Sequence, residues 1–196
     1  MPDEVTAEQA ERAVKTLLDW AGVYPSESEA ADHLDLANTP RRIAEMYREV
    51  FSSYREGALE RLREGFTTFD IETSNMVVQR DIHFHSMCAH HCVPFFGTVA
   101  IGYLPGKKLA GLSKLARVVE FYSHRVQLQE RMTDQIADFL ESELRPRYVA
   151  VMVQAEHFCM SMRGVRKPGT SSLTFAERGD PTKASELFDR MLRSAP

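Results

Sequence analysis

Ser86-Met87-Cys88-Ala89-His90-His91-Cys92-Val93-Pro94-Phe95-Phe96-Gly97 joins two stretches of strand-forming sequence. Before it runs Met76-Val77-Val78-Gln79-Arg80-Asp81-Ile82-His83-Phe84, and after it Thr98-Val99-Ala100-Ile101-Gly102-Tyr103-Leu104, ended by Pro105-Gly106. Within the joining stretch, four metal-capable side chains fall in five residues, and two of the chain's three cysteines are among them. The third cysteine, Cys159, lies far downstream in Glu156-His157-Phe158-Cys159. Zinc takes Cys sulfur and His nitrogen, and a catalytic site uses three protein ligands with a fourth position open. Cys88 and His91 are three apart and can reach one ion from a tight turn, with Cys159 as third ligand. If His157 and Cys159 share an extended strand, they point to the same face. His90 and His157 then stand as free imidazoles beside the ion, suited to proton transfer. Cys92 is expected to be a small buried hydrophobe. The alternative is that it closes a structural site as a fourth ligand. His83 and His85 alternate along the preceding strand and are expected at the surface or an interface, while His33 and His124 carry no signal.

Toward the N-terminus the texture is helical. Residues 6–22 carry an apolar stripe (Ala10, Ala13, Val14, Leu17, Leu18, Ala21), with Thr6 and Gln9 as a capping box and Gly22 as a stop. Pro25 and Ser26 to Glu29 form a polar turn. Asn38-Thr39-Pro40 opens a second helix lined by Ile43, Met46, Tyr47 and Val50, and Tyr54 to Phe66 reads as a third. Toward the C-terminus, helices are predicted from Ser113 to about His124 and from Gln127 to Leu144. Strands are predicted over Tyr148–Ala155 and Ser171–Ala176, with a helical tail at Lys183–Arg193. The fold class is α+β: an N-terminal helical region, 1–70, and a domain, 71–196, in the order strand, strand, helix, helix, strand, strand.

Composition narrows the function classes. The chain has 196 residues, 43% hydrophobic and 27% charged, as an ordinary globular protein has. No apolar run approaches the roughly 18–20 residues that span a membrane, and the acidic N-terminus lacks a signal-peptide core. Three cysteines are too few for a disulfide scaffold, which suits a reducing cytoplasm. The net charge of −4 argues against a general nucleic-acid partner. Residues 1–70 hold 15 acidic and 8 basic side chains, whereas residues 71–196 hold 13 and 16, so the Cys/His half suits an anionic small ligand. Ser113, Lys114 and Arg117 sit at a predicted helix start, a favourable anion site. Arg163-Gly164-Val165-Arg166-Lys167 follows the His/Cys segment, and clustered Arg and Lys near a metal suit a polyphosphate, while composition alone favours a solvated basic face. A buried carboxylate at Glu130 would be able to accept the two adjacent donors of a guanine ring; the alternative is an ordinary solvated helix residue.

Four motifs stand in order: Cys-x-His-His with Pro-Phe-Phe-Gly, Gly-Leu-Ser-Lys-Leu-Ala-Arg, Gln-x-Gln-Glu-Arg-x-Thr, and Glu-His-x-Cys-Met-x-Met-Arg-Gly-Val. Together they resemble GTP cyclohydrolase I, from about Asn38 to Gly179. The resemblance implies conversion of GTP and water to formate and dihydroneopterin triphosphate, the entry to folate and biopterin synthesis. It implies that Cys88, His91 and Cys159 hold Zn2+, which activates water against the carbon of the guanine five-membered ring. His90 would handle the ring-nitrogen proton and His157 would protonate the ribose ring oxygen. Glu130 would hold guanine with Gln129 beside it. Ser113, Lys114, Arg117 and Arg163 would bind ribose and triphosphate, with Arg42 reaching in from Thr39-Pro40-Arg41-Arg42. It further implies a T-fold core assembled as a toroidal β-barrel in a homodecamer of two pentamers, with sites shared between subunits.

The sequence departs from the family pattern at Ala89, usually Glu, and at Cys92, usually aliphatic. Glu45 stands where some bacterial relatives carry a phosphate-facing Lys, and Phe175 where a small residue is usual. Two other readings therefore stand beside the first. One is a related T-fold cyclohydrolase acting on a modified guanine nucleotide in deazapurine or secondary metabolism. The other is a non-catalytic assembly protein stabilised by zinc.

Overall fold

The computed structural model describes residues 5–24, 36–70, 73, 75–180 and 182. The expected turn at 25–29, His33 and the helical tail at 183–193 lie outside the described residues. The chain divides into two compact units, one ending at Phe51 and one starting at Ser52.

In the first unit, helix α1 (Ala7–Trp20) begins with the expected capping box: the Thr6 hydroxyl accepts from the Gln9 amide, and the Gln9 side chain accepts from the Thr6 amide. A 3₁₀ turn at Leu36–Asn38 leads into α2 (Thr39–Val50), which carries Pro40 in its first turn where no amide donor is needed. Asn38 is the N-cap but makes no side-chain cap bond. Arg42 is exposed on α2, and Glu45 pairs with Arg41 one turn away at 2.8 Å.

The second unit opens with a 3₁₀ turn at Ser52–Tyr54 and helix α3 (Ala58–Gly65). The continuous helix predicted over Tyr54–Phe66 is therefore shorter, because Gly57 takes a left-handed conformation (φ 69°) as its N-cap. Leu59 and Leu62 of α3 pack on the main core. The strands are β1 (Thr68–Asp70), β2 (Val77–Cys88), β3 (Pro94–Leu104), β4 (Lys108–Ala110), β5 (Val126–Gln127), β6 (Tyr148–His157) and β7 (Ser171–Gly179). Helices α4 (Leu112–Ser123) and α5 (Gln129–Leu144) lie between β4 and β6, and the single turn α6 (Phe158–Ser161) follows β6. The main sheet has the order β5-β2-β3-β6-β7, antiparallel except for the short β2–β5 pair. Its four long strands and two helices follow the expected β-β-α-α-β-β order.

Helical periodicity puts Leu115, Val118, Met132, Ile136 and Leu140 on one side of α4 and α5, and each is fully buried against the sheet. From Ile82 onward β2 alternates as expected, with Ile82, Phe84 and Ser86 buried and His83 and His85 exposed. The other sheet face carries a small apolar cluster of Ala100, Leu104, Tyr148 and Ala150, so β6 is apolar on both faces. Gly97 lets β3 and β6 close up: a Cβ there would lie 2.8 Å from the Ala155 Cα and would collide with the Gln154 carbonyl. Beyond its two-residue pairing with β5, the outer edge of β2 has no strand partner among the described residues, and neither does that of β7.

Candidate active site

The site is built where β2 ends and β6 ends, on strands that flank β3. Cys88 closes β2 and is buried. Its carbonyl accepts from the His91 and Cys92 amides at 3.3 and 2.8 Å, and its amide donates to the Val93 carbonyl at 2.9 Å. This turn swings His91 back over Cys88. Cys92 completes the reversal in a left-handed conformation (φ 49°), after which Pro94 pairs with Met87. A non-glycine residue seldom adopts that conformation. Cys92 is exposed, which corrects the expectation that it is buried: the reversal turns it to solvent. It is also not part of the group that Cys88, His91 and Cys159 form, which speaks against its closing a four-ligand site.

The ligand atoms of Cys88, His91 and Cys159 all lie within 4.8 Å of one another, close enough for one cation to touch all three. The route to this differs from the one expected. Strand β6 ends at His157, and Cys159 sits in α6, so the two do not share a strand face. One helical turn carries the Cys159 sulfur to Cys88. Burial pushes the Cys159 thiol above its ordinary range, and the adjacent Cys88 sulfur adds to that by charge and hydrogen bond, while the Arg163 charge acts the other way. Two crowded sulfurs that resist joint ionisation are what a bound divalent cation relieves, so the donor set fits a metal.

Two imidazoles stand beside this group. His90 is exposed, with its ring edge-on to His91 at a centroid separation of 6.2 Å. His157 is half-buried. Its ring stacks on Phe95 at 4.6 Å with planes 2° apart, and its Nε2 lies 2.8 Å from Gln129 Oε1. Desolvation lowers the His157 pKa and the nearby Glu130 carboxylate opposes it. Glu130 is exposed in the first turn of α5. Gln129, expected beside the substrate, is buried, and its amide is occupied by Val153, Ser172, Thr174 and His157.

Of the basic residues, Ser113, Lys114 and Arg117 lie on the first turns of α4, whose N-cap is Gly111. Lys114 and Arg117 share a shallow depression with Arg61, Leu62, Gly65 and Phe66. Arg163 follows α6 and is exposed. The sequence signals missed Phe95 as the platform for His157. Its place in Pro-Phe-Phe-Gly marks it as apolar, but only the register Phe95–His157 reveals the contact.

The family model described as GTP cyclohydrolase I matches residues 10–195. The GTP cyclohydrolase 1 of Streptococcus pneumoniae (strain Hungary19A-6) is 45% identical over 186 residues, covering 95% of this chain and 96% of that protein. The chain belongs to the GTP cyclohydrolase I family. Among solved structures, an archaeosine synthase QueF-Like in the apo form overlaps 56% of this chain and 98% of its own, with a TM-score of 0.47 and 18% identity. A putative dihydroneopterin aldolase from Vibrio cholerae overlaps 56% of this chain and 100% of its own, with a TM-score of 0.41 and 9% identity. The departures from the GTP cyclohydrolase I pattern leave the three-donor group intact: Ala89 is exposed and its amide donates to the Gln127 carbonyl at 2.8 Å, while Phe175 lies on β7 opposite Met152.

Proposed function

We propose that this GTP cyclohydrolase I opens the five-membered ring of GTP hydrolytically, releases formate and rearranges the sugar to give 7,8-dihydroneopterin triphosphate. Family membership makes it a hydrolase acting on GTP. The observation that carries the detailed reading is the convergence of Cys88, His91 and Cys159, with His157 and Glu130 alongside. These three side chains would hold Zn2+, whose softness and tetrahedral preference match two sulfurs and one nitrogen. When bound, the ion supplies Lewis acidity that activates water at neutral pH.

The chain's own residues do the rest. Glu130 accepts the paired N–H donors of guanine and orients the base. Gln129 lies behind it. His90, free in solvent, exchanges the proton of the ring nitrogen. His157 gives a proton to the ribose ring oxygen, and Phe95 holds its plane. Ser113, Lys114, Arg117 and Arg163 bind the ribose and triphosphate. The open edges of β2 and β7 favour closure of the sheet by further copies, as a toroidal homodecamer of two pentamers would provide. Among the described residues no helix is long and apolar enough to cross a membrane, which is compatible with work in the cytoplasm.

The test is an anaerobic assay of the zinc-loaded protein with GTP, following formate and pterin fluorescence separately. Both products are expected, and both are expected to vanish in Cys88→Ala. Turnover that survives loss of the metal would overturn the mechanism. Preference for another guanine nucleotide over GTP would overturn the substrate.

A further inference from the structure

Gln129 is the first residue of α5, and only 3% of it is exposed. A buried glutamine must satisfy both ends of its amide. Its Nε2 lies 2.9 Å from the Val153 carbonyl, 3.1 Å from the Ser172 carbonyl and 3.2 Å from Thr174 Oγ1. Carbonyl oxygens only accept, so the NH2 end must face β6 and β7. The opposite orientation would set Oε1 against two carbonyls with no proton between them.

The hydroxyls nearby agree with this direction. Thr133 Oγ1 donates to the Gln129 carbonyl at 2.8 Å and lies 2.6 Å from Thr174 Oγ1. With the Thr133 proton so used, the Thr174 hydroxyl donates to Thr133. Its remaining lone pairs then receive the Gln129 amide. The chain of donors runs one way, and it leaves Oε1 as the end that meets His157.

Oε1 can only accept. The His157 Nε2 at 2.8 Å must therefore carry the hydrogen. Nδ1 has no hydrogen-bond partner among the described residues. Stacking on the fully buried Phe95 prevents the ring from tilting out of this alignment.

We infer that Gln129 is a positioning residue, which holds the Nε2–H and ring plane of His157, so that Nδ1 is the nitrogen that takes up a proton from water and passes it on to the substrate. This rests on the assignment of His157 to proton transfer and adds which ring nitrogen performs it. It also moves Gln129 from a contact with guanine to a support behind the imidazole.

Neutron diffraction from the perdeuterated, zinc-loaded enzyme reads the inference directly. Deuterium on His157 Nε2, aligned with Gln129 Oε1, is expected. Deuterium on Nδ1 with Nε2 bare, or a Gln129 amide turned the other way, would overturn it. This measurement needs no substitution, so it stands even where a variant fails to fold. As a second measurement, Gln129→Met is expected to lower kcat about 10- to 100-fold, as loss of the outer partner of a functional histidine does. The KM for GTP and the zinc content should stay close to the parent's. A raised KM with kcat retained would overturn the inference by returning Gln129 to substrate binding. Full activity in His157→Ala would remove the proton-transfer assignment while leaving the tautomer seen by neutrons as it is, so the two failures are separable.

Discussion

Replacing Gly97 by alanine tests how the sheet holds the site. The added Cβ would stand 2.8 Å from the Ala155 Cα and 2.9 Å from the Gln154 carbonyl carbon, all backbone atoms that cannot swing aside. Ordinary carbon contacts begin near about 3.5 Å, so β3 and β6 must part by roughly 0.7–1 Å. β3 is held by β2 on its other side, where Gly97 pairs with Phe84, so it has nowhere to retreat. Overpacking of this kind costs about 1–3 kcal/mol and a weakened ladder bond about 1 more, giving roughly 2–4 kcal/mol. For a chain of this size that lowers the melting temperature by roughly 4–16 °C. The site should suffer beyond this. Phe95 and His157 are paired two residues along the same ladder, and a displacement of about 1 Å can cost on the order of 100-fold in rate. Thermal unfolding at matched protein concentration, beside pterin formation at a temperature where the variant remains folded, reads both effects. A variant that melts within about 1 °C of the parent and turns over normally would refute the reasoning.

Three other outcomes are expected. Cys159→Ala leaves two donors, so metal affinity measured with a competing chelator should fall at least about tenfold and pterin formation should cease; unchanged metal content would remove Cys159 from the ligand set. Glu130→Gln removes a charged acceptor worth about 1.5–3 kcal/mol, so kcat/KM for GTP should drop roughly 10- to 150-fold with metal content intact; an unaltered value would take Glu130 out of guanine binding. In the metal-free protein the folded pKa of His157 lies below that of the unfolded chain, near about 6.5, so the unfolded state binds more protons between the two values. The stability this residue contributes is present above about 6.5 and is lost as pH falls through the lower folded value. His157→Gln should flatten that part of the urea-midpoint profile, and an unchanged slope would locate the effect elsewhere.

Much of this architecture was legible in the sequence because periodicity and chemistry coincide. The Thr6–Gln9 box, the apolar faces of α4 and α5 and the run Val149–Ala155 each depend on local spacing, and each took the expected form. Cys88 and His91 were legible together for the same reason. What could not be read was anything fixed by a partner strand. The two-residue β5 exists only through its pairing with Met87 and Cys88. The exposure of Cys92 follows from one left-handed residue, which a cysteine does not advertise. Cys159 reached the other donors by a helical turn where an extended chain was expected, because β6 loses its ladder partner after the Phe95–His157 pair. Gln129 looked like a companion of Glu130 because the two are adjacent. On a helix, adjacent side chains diverge by about 100°, so one faces solvent and the other the sheet.

The spacing of the three donors also orders events in time. Cys88 and His91 leave the ribosome long before Cys159, and strands β3 and β6 and helices α4 and α5 lie wholly in between. A nascent chain emerging N-terminal end first presents two donors to the cell's metal pool until the turn after His157 has folded against them. On the proposed ligand set, secure metal capture is then among the last steps in maturation, and a chain stalled within β6 would offer a cation two donors where complete copies offer three.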